Sequence, residues 1–284
     1  MGRIEFRTLW MALVFLGFSA SGFSGDAEQV VPMPSVALDR LKPPRHLLFG
    51  SCYKLSRGGK EIWGTIASLE PDLFLFAGDT VYPDGFDKQA DLPLLSSAYG
   101  ELARDPHFGS LRSSVPVLAV WDDHDYGDHD GGADFPWRET AEAIFEEAWG
   151  LAADDPRRHR PGVYFSEVLG EGDETVQIVV LDTRFFRSPL QVSDAPGSRG
   201  RERYVPTEDP QRTMLGEDQW TWLAGELQRP VALRLIVSSV QLLGDGHGWE
   251  GWHQLPRERQ RLLALLRQQD HSPTLFLSGD RHVA

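Results

Sequence analysis

Cysteine is almost absent: the 284-residue chain carries one, Cys52. A lone cysteine excludes an internal disulfide, so packing and hydrogen bonds must hold the fold without a covalent staple. Cys52 is then either a buried apolar residue or a thiol with a chemical task. Positive charge is scarce as well. Against 42 Asp and Glu stand only 28 Lys and Arg, a formal net charge of −14. That balance argues against nucleic-acid binding through a basic surface and suits a protein that gathers cations. Long apolar runs are also missing. The run Leu9 to Phe18, LWMALVFLGF, is ten residues, too short to span a bilayer unaided.

What is present reads as a globular chain. A 41% hydrophobic and 25% charged composition supports a sizeable core, in one large domain or two small ones. Arg3 and Arg7 precede the apolar run, and the small residues SASGFSG follow it. Basic, apolar, small is the order of a secretory signal, so residues 1–25 read as a signal peptide cut between Ala20 and Gly25. Export to the periplasm or the exterior follows, with an uncleaved anchor as the alternative. Cleavage removes Arg3, Arg7 and Glu5, a net +1, and takes the charge from −14 to −15. Residues 26–44 are polar with four prolines and form an irregular leader. The main domain spans 45–284.

Short continuous apolar runs then recur: His46–Cys52, Leu73–Asp79, Val115–Asp122, Val176–Asp182, Arg234–Ser239 and Thr274–Asp280. These predict buried strands. Helical patterns lie between them at Glu61–Leu69, Thr140–Trp149, Glu217–Gln228 and Arg257–Gln269. Strands alternating with helices predict an α/β fold. Residues 188–213 read as a loop over the active face.

Most of these strands finish in Asp, Cys or Ser. Loops at the carboxyl ends of strands converge on one crevice in open α/β sheets. Cys52, Asp79, Asp122 or Asp123, Asp182 and Asp280 are therefore candidates for one site. The densest segment is residues 121–130, WDDHDYGDHD, with five aspartates and two histidines in ten positions. Converging carboxylates need positive charge, or some protonate. Divalent or trivalent metal ions supply it. A calcium-loop reading fails, because counting from Asp123 the twelfth position is Asp134 where a Glu is needed. A solvated acidic loop is the plain alternative, and Trp121 and Tyr126 argue against it.

A dinuclear hydrolase remains. The chain resembles the calcineurin-like metallophosphatases in block order, with the blocks altered to Gly50-Ser-Cys52, Gly78-Asp79, residues 121–126 (WDDHDY) and Gly279-Asp-Arg-His282. In that altered form it resembles the PhoD-like alkaline phosphatase family, over roughly residues 45–284. Gly132–Pro136, Leu181–Arg184 and Leu215–Trp220 are further similar segments.

The resemblance implies a four-layer α/β/β/α fold, a β-sandwich flanked by helices. It implies two or more metal ions, with Asp79 bridging. Cys52, Tyr82 and His282 would complete a first site, suited to ferric iron. Asp123 and Asp280 would hold the second in oxygen donors suited to Ca2+, Mg2+ or Mn2+, with Asp122 or Asp123 as the ligand left open. His124 would contact the phosphate or the leaving group, and Arg184 would pair with phosphate oxygens. Plainer readings stand beside these. Cys52 is a buried small residue, Tyr82 caps the Gly-Asp turn, and Arg184 pairs with Asp182. His129 stands where the family more often has asparagine. Residues 246–253, GHGWEGWH, read as a packed aromatic loop. The absence of a histidine around Val237–Gln241 weakens a zinc-type assignment.

The function implied is an exported, metal-dependent phosphoesterase that hydrolyses mono- or diesters by attack of a metal-bound hydroxide. The alternatives are a phosphodiesterase acting on phospholipid, cell-wall or nucleotide diesters, and a non-catalytic metal- or phosphate-binding protein. The family pattern also implies further strands after the last block, so the chain is expected to be C-terminally incomplete.

Overall fold

The computed structural model describes residues 30–268 and 272–282. The signal-like segment 1–25 and the first residues of the leader lie outside them. Residues 30–44 form neither helix nor strand, yet they are tied down. Met33 N–H donates to Ala148 O at 2.8 Å and Val36 N–H to Arg112 O at 2.9 Å.

Strands β1 (Leu47–Gly50), β2 (Leu73–Ala77) and β3 (Val117–Val120) form a parallel sheet in that order. A second sheet runs β4 (Phe165–Leu169), β5 (Val176–Leu181), β6 (Leu233–Ser238), β7 (Thr274–Ser278). Only the β4–β5 pair in it is antiparallel. The helices are α1 (Glu61–Ser68), α2 (Pro93–Arg104), α3 (Pro106–Arg112), the single turn α4 (Asp123–Tyr126), α5 (Arg138–Ala148), α6 (Gly216–Glu226) and α7 (Pro256–Gln268).

Side-chain alternation along the strands builds the layers. On β5, Val176, Ile178 and Val180 pack into the core shared with the first sheet, while Val179 and Leu181 face α6 and α7. On β6, Leu235 and Val237 point inward and Ile236 outward. On β2, Phe74 and Phe76 meet Trp63 of α1 at ring separations of 6.0 and 5.7 Å, and Phe76 meets Phe108 of α3 at 5.9 Å. Helices thus cover both outer faces of two stacked sheets, the four-layer α/β arrangement that the family resemblance implies.

The strands predicted from apolar runs are all present, each ending just before its polar residue. Strand β4 was not anticipated. It is an edge strand, FSEVL, whose middle is polar because one side meets no neighbour. Helices α2 and α3 were not anticipated either. Ser96, Ser97 and Gly100 are weak helix formers, and α2 is held by burying Leu95, Tyr99 and Leu102. Among the described residues no helix is long and apolar enough to cross a membrane.

Candidate metal centre

The site lies where strands of both sheets end. Cys52, Asp79, Asp122 and Asp280 each stand two residues beyond β1, β2, β3 and β7. The chain turns sharply there. Cys52, Asp79, Asp280 and His282 have φ of 60, 55, 68 and 53°, a left-handed conformation uncommon for residues with a side chain. Such geometry costs roughly 1–3 kcal/mol per residue and concentrates at functional sites. Two glycines let the ends approach. A Cβ on Gly78 would lie 2.6 Å from Asp122 Cβ, and one on Gly279 would lie 2.6 Å from Ala77 O. Gly279 N–H donates to Ser239 O at 3.0 Å, which closes the seam between β6 and β7.

Three donor groups result, each with ligand atoms within 4.8 Å of one another: Cys52, Asp79 and His282; Asp79, Asp122 and Asp123; Asp123, His124 and His129. Tyr82 Oη donates to Asp79 Oδ2 at 2.6 Å and lies 3.4 Å from His282 Nε2. The phenol therefore both holds the Gly-Asp turn and faces the donors. His124 N–H reaches Asp79 Oδ1 at 3.3 Å, and Cys52 Sγ lies 3.7 Å from Asp280 O.

Four of the five aspartates of residues 121–130, Asp122, Asp123, Asp125 and Asp130, avoid mutual repulsion by turning to different partners. Asp125 accepts from Asp79 N–H at 3.2 Å, from Thr80 N–H and Oγ1 at 2.9 Å each, and from Asp122 N–H. It fixes the turn after β2 and starts α4. Asp123 accepts from Asp130 N–H at 3.0 Å and pairs with His129 Nδ1 at 2.8 Å. Asp130 accepts from Tyr204 Oη at 2.8 Å and pairs with Arg203 at 2.9 Å, so the 188–213 loop packs over this segment. Trp121 and Tyr126 are fully buried, which rules out a free acidic loop.

Arg184 is placed beneath the donors, not among them. Its side chain is 0% exposed. Nε and Nη2 donate to Asp122 Oδ1 at 2.8 and 2.5 Å, and Nη1 and Nη2 donate to Glu250 at 2.7 and 2.5 Å. The fork is filled by carboxylates, so the expected contact with phosphate oxygens is not where this geometry puts it. Asp182 also stays out of the cluster. Its carboxylate anchors the loop after β5, accepting from Trp121 Nε1, Val163 N–H and Arg184 N–H at 2.8–2.9 Å. The pair foreseen between Asp182 and Arg184 is thus a backbone contact, and the charge partners are Asp122 and Glu250.

Sequence reasoning missed Asp125, Ser239 and Glu250. Ser239 Oγ donates to Asp122 Oδ1 at 2.7 Å. Glu250 sits inside the aromatic loop, which is packed at Trp252, with His247 4.4 Å from His253 ring to ring, but leaves Trp249 39% exposed. Only the placement of an acid between Trp249 and Gly251 hinted at a buried partner.

The electrostatics ask for a cation. Burial, then Asp123 and Asp125, holds the Asp79 pKa well above the usual carboxylate range. Burial raises Asp122 as well. Asp280 is pushed up to about 9 by burial and by Asp122. Burial and Asp79 push the Cys52 thiol up to about 12 and raise Tyr82. At Asp123 burial acts upward, but the His129 hydrogen bond and the Arg184 charge outweigh it and leave the group low. Among the described residues, Asp122 Oδ2 and Asp280 Oδ2 are buried without a hydrogen-bond partner. Each unmet acceptor costs roughly 1–3 kcal/mol. Positive charge at the cluster would relieve all of these, so the donor set fits metal ions: sulfur, phenol and imidazole on one side of Asp79, carboxylates on the other.

A cleft of about 400 Å3 opens over the donors, lined by Cys52, Lys54, Arg57, Tyr82, His124 and His282. The His124 ring lies 4.1 Å from Tyr82 and 5.7 Å from Phe86, and burial lowers its pKa.

Comparison with known proteins gives the family and the fold. The family described as PhoD-like phosphatase matches residues 47–284. Alkaline phosphatase D of Bacillus subtilis (strain 168) is 20% identical over 276 residues, which covers 85% of this chain and 46% of that protein. A solved structure of PhoD superposes with a TM-score of 0.67 at 18% identity, covering 87% of this chain and 53% of the other. The chain thus spans about half the length of the relatives it matches. With the match extending from β1 through the final Gly279–His282 block, the chain belongs to the PhoD-like phosphatase family.

Proposed function

We propose that the protein is a metal-dependent phosphoric ester hydrolase, exported through its N-terminal signal-like segment. The observation that carries this reading is the meeting at one seam of Cys52, Asp79 and His282, with Tyr82 on Asp79, and of Asp79, Asp122 and Asp123, where Asp122 Oδ2 and Asp280 Oδ2 are buried without a partner. Cys52, Tyr82 and His282 would hold ferric iron, for which thiolate and phenolate are strong donors. Asp123 and Asp280, with the free oxygen of Asp122, would hold Ca2+, Mg2+ or Mn2+, and Asp79 would serve both ions. Bound there, the cations supply charge to offset that of the phosphate oxygens and lower the pKa of water.

The protein's own residues do the rest. His124 is clasped by Tyr82 and Phe86 at the cleft floor, where a ring nitrogen can donate a proton to the departing alkoxide. Arg184 orients Asp122 from below. The substrate is a phosphate ester, and both mono- and diesters are candidates. The test is metal analysis of the purified protein together with parallel hydrolysis of a chromogenic monoester and diester. We expect metal in the purified protein and metal-dependent turnover of at least one ester. Protein that binds no metal and cleaves neither overturns the reading.

A further inference from the structure

The cleft over the donor cluster carries two cations that the fold does not use. Lys54 and Arg57 line it beside Cys52, Tyr82, His124 and His282. Lys54 Nζ lies 5.8 Å from the Tyr82 ring centroid. Among the described residues neither side chain makes an ion pair. Elsewhere in this acidic chain, Arg40, Arg157, Arg184, Arg187, Arg203 and Arg261 each hold a carboxylate. The segment from Cys52 to Lys60, CYKLSRGGK, contains no acid at all. Lys54 stands just ahead of a short 3-10 turn, Leu55–Arg57, which ends in Gly58 and Gly59 with φ of 83 and 80°. Arg57 is exposed. Two unpaired cations on one wall of a cleft, in a protein of net charge −14, favour an anion at that wall.

We propose that Lys54 and Arg57 form a leaving-group subsite, which selects phosphate esters whose alcohol carries a second negative charge. The inference rests on the hydrolase reading, because that reading fixes where the phosphorus sits. With the phosphate at the donor cluster, the ester's other half leaves along the cleft wall. Arg57 offers a planar fork that matches a carboxylate or a second phosphate. Lys54 supplies a point charge closer to the reacting end. A neutral alcohol gains nothing from either.

The test compares 3-phosphoglycerate with glycerol phosphate, which share the transferred group and differ by a carboxylate. Binding to the metal-loaded protein is measured by calorimetry, and phosphate release by rate. The expected preference for the charged ester is roughly tenfold in both measurements, about 1.4 kcal/mol. It should shrink as salt is raised through the physiological range. Lys54→Gln and Arg57→Gln should each reduce the preference severalfold, and the double variant should abolish it. Lys42→Ala, a remote surface change, should leave it intact. Equal handling of both esters by the wild type, failure to bind either, or a preference that survives the double variant overturns the subsite. If the charged ester binds tenfold more tightly, the double variant loses that margin, and neither ester is cleaved, Lys54 and Arg57 stand as the site that recognises the second charge, while the hydrolase reading and the leaving-group role that rests on it fail.

Discussion

Replacing Arg184 by methionine separates two accounts of this residue by measurement. In the structure the guanidinium is fully buried and gives four hydrogen bonds to two carboxylates. Methionine keeps the packing volume and removes the charge. Glu250 would retain Arg187, 3.0 Å away. Asp122 would keep only the Ser239 hydroxyl at 2.7 Å and would lose the cation that its buried carboxylate needs. Removing one partner of a buried pair typically costs about 3–5 kcal/mol. For a domain of this size that is roughly 6–20 °C in melting temperature, at about 2–4 °C per kcal/mol.

Arg184→Lys should fall between, because a single ammonium cannot span Asp122 and Glu250 as the fork does. Scanning calorimetry on wild type and both variants gives the answer, with metal content measured alongside. A methionine variant that melts with the wild type, keeps its metal and shows only a raised KM refutes the argument. It would restore Arg184 to the phosphate.

Three further outcomes are expected. His124→Ala should slow esters with poor leaving groups about 10²–10⁴-fold and activated aryl esters far less, and equal losses would assign the ring a structural role. If the thiol binds ferric iron, the purified protein should show a visible charge-transfer band that Cys52→Ala removes, whereas a colourless, metal-replete, active wild type refutes iron at that position. Glu142, pushed up to about 8 by burial and by Asp182, holds its proton in the folded state across a range where the unfolded chain has released it. Stability should therefore fall as pH rises from about 5 to about 9, and Glu142→Gln should flatten that slope; parallel melting curves for the two proteins across the range contradict the assignment.

The parts of this architecture that were legible in sequence share a physical cause. A strand buried on both faces must be apolar along its length, and Leu73–Ala77 is buried at every position. The first polar residue after such a run marks the strand end, and parallel strands bring their ends to one edge. Cys52, Asp79, Asp122 and Asp280 could be grouped on that ground alone. Edge strand β4 could not, because its exposed side removes the apolar run. Helix α2 could not, because tertiary burial of Leu95, Tyr99 and Leu102 holds a segment of weak formers.

Arg184 shows the limit most clearly. Beside a cluster of acids, an arginine that binds substrate and one that neutralises buried carboxylates look the same in sequence. Its decisive partner Glu250 is 66 residues away, in a loop without periodicity. Asp182 misled for the opposite reason. It obeys the strand-end rule, but Trp121 Nε1 and nearby backbone N–H groups claim its oxygens.

The acids of the site divide into two sets with different charge balance. Beneath, Asp122 and Glu250 face Arg184 and Arg187, two negative and two positive charges, all buried. That set closes on itself. It links the end of β3 to the loops after β5 and β6, and so fixes the seam on which the donors stand. Above it, Asp79 and Asp123 meet imidazoles, a phenol and a thiol, and among the described residues neither carboxylate pairs with an arginine. Asp122 belongs to both sets: Oδ1 is saturated by Arg184 and Ser239, while Oδ2 has no partner. A neutral foundation can hold its geometry without help from a metal, whereas the acidic set above it gains from one. Cations would then meet donors already held in place, and their binding energy need not be spent on ordering the chain. This division lets the protein concentrate five aspartates in ten residues, because Asp123 faces the site, Asp122 faces it with one oxygen, and Asp125 and Asp130 are committed to holding the chain around it.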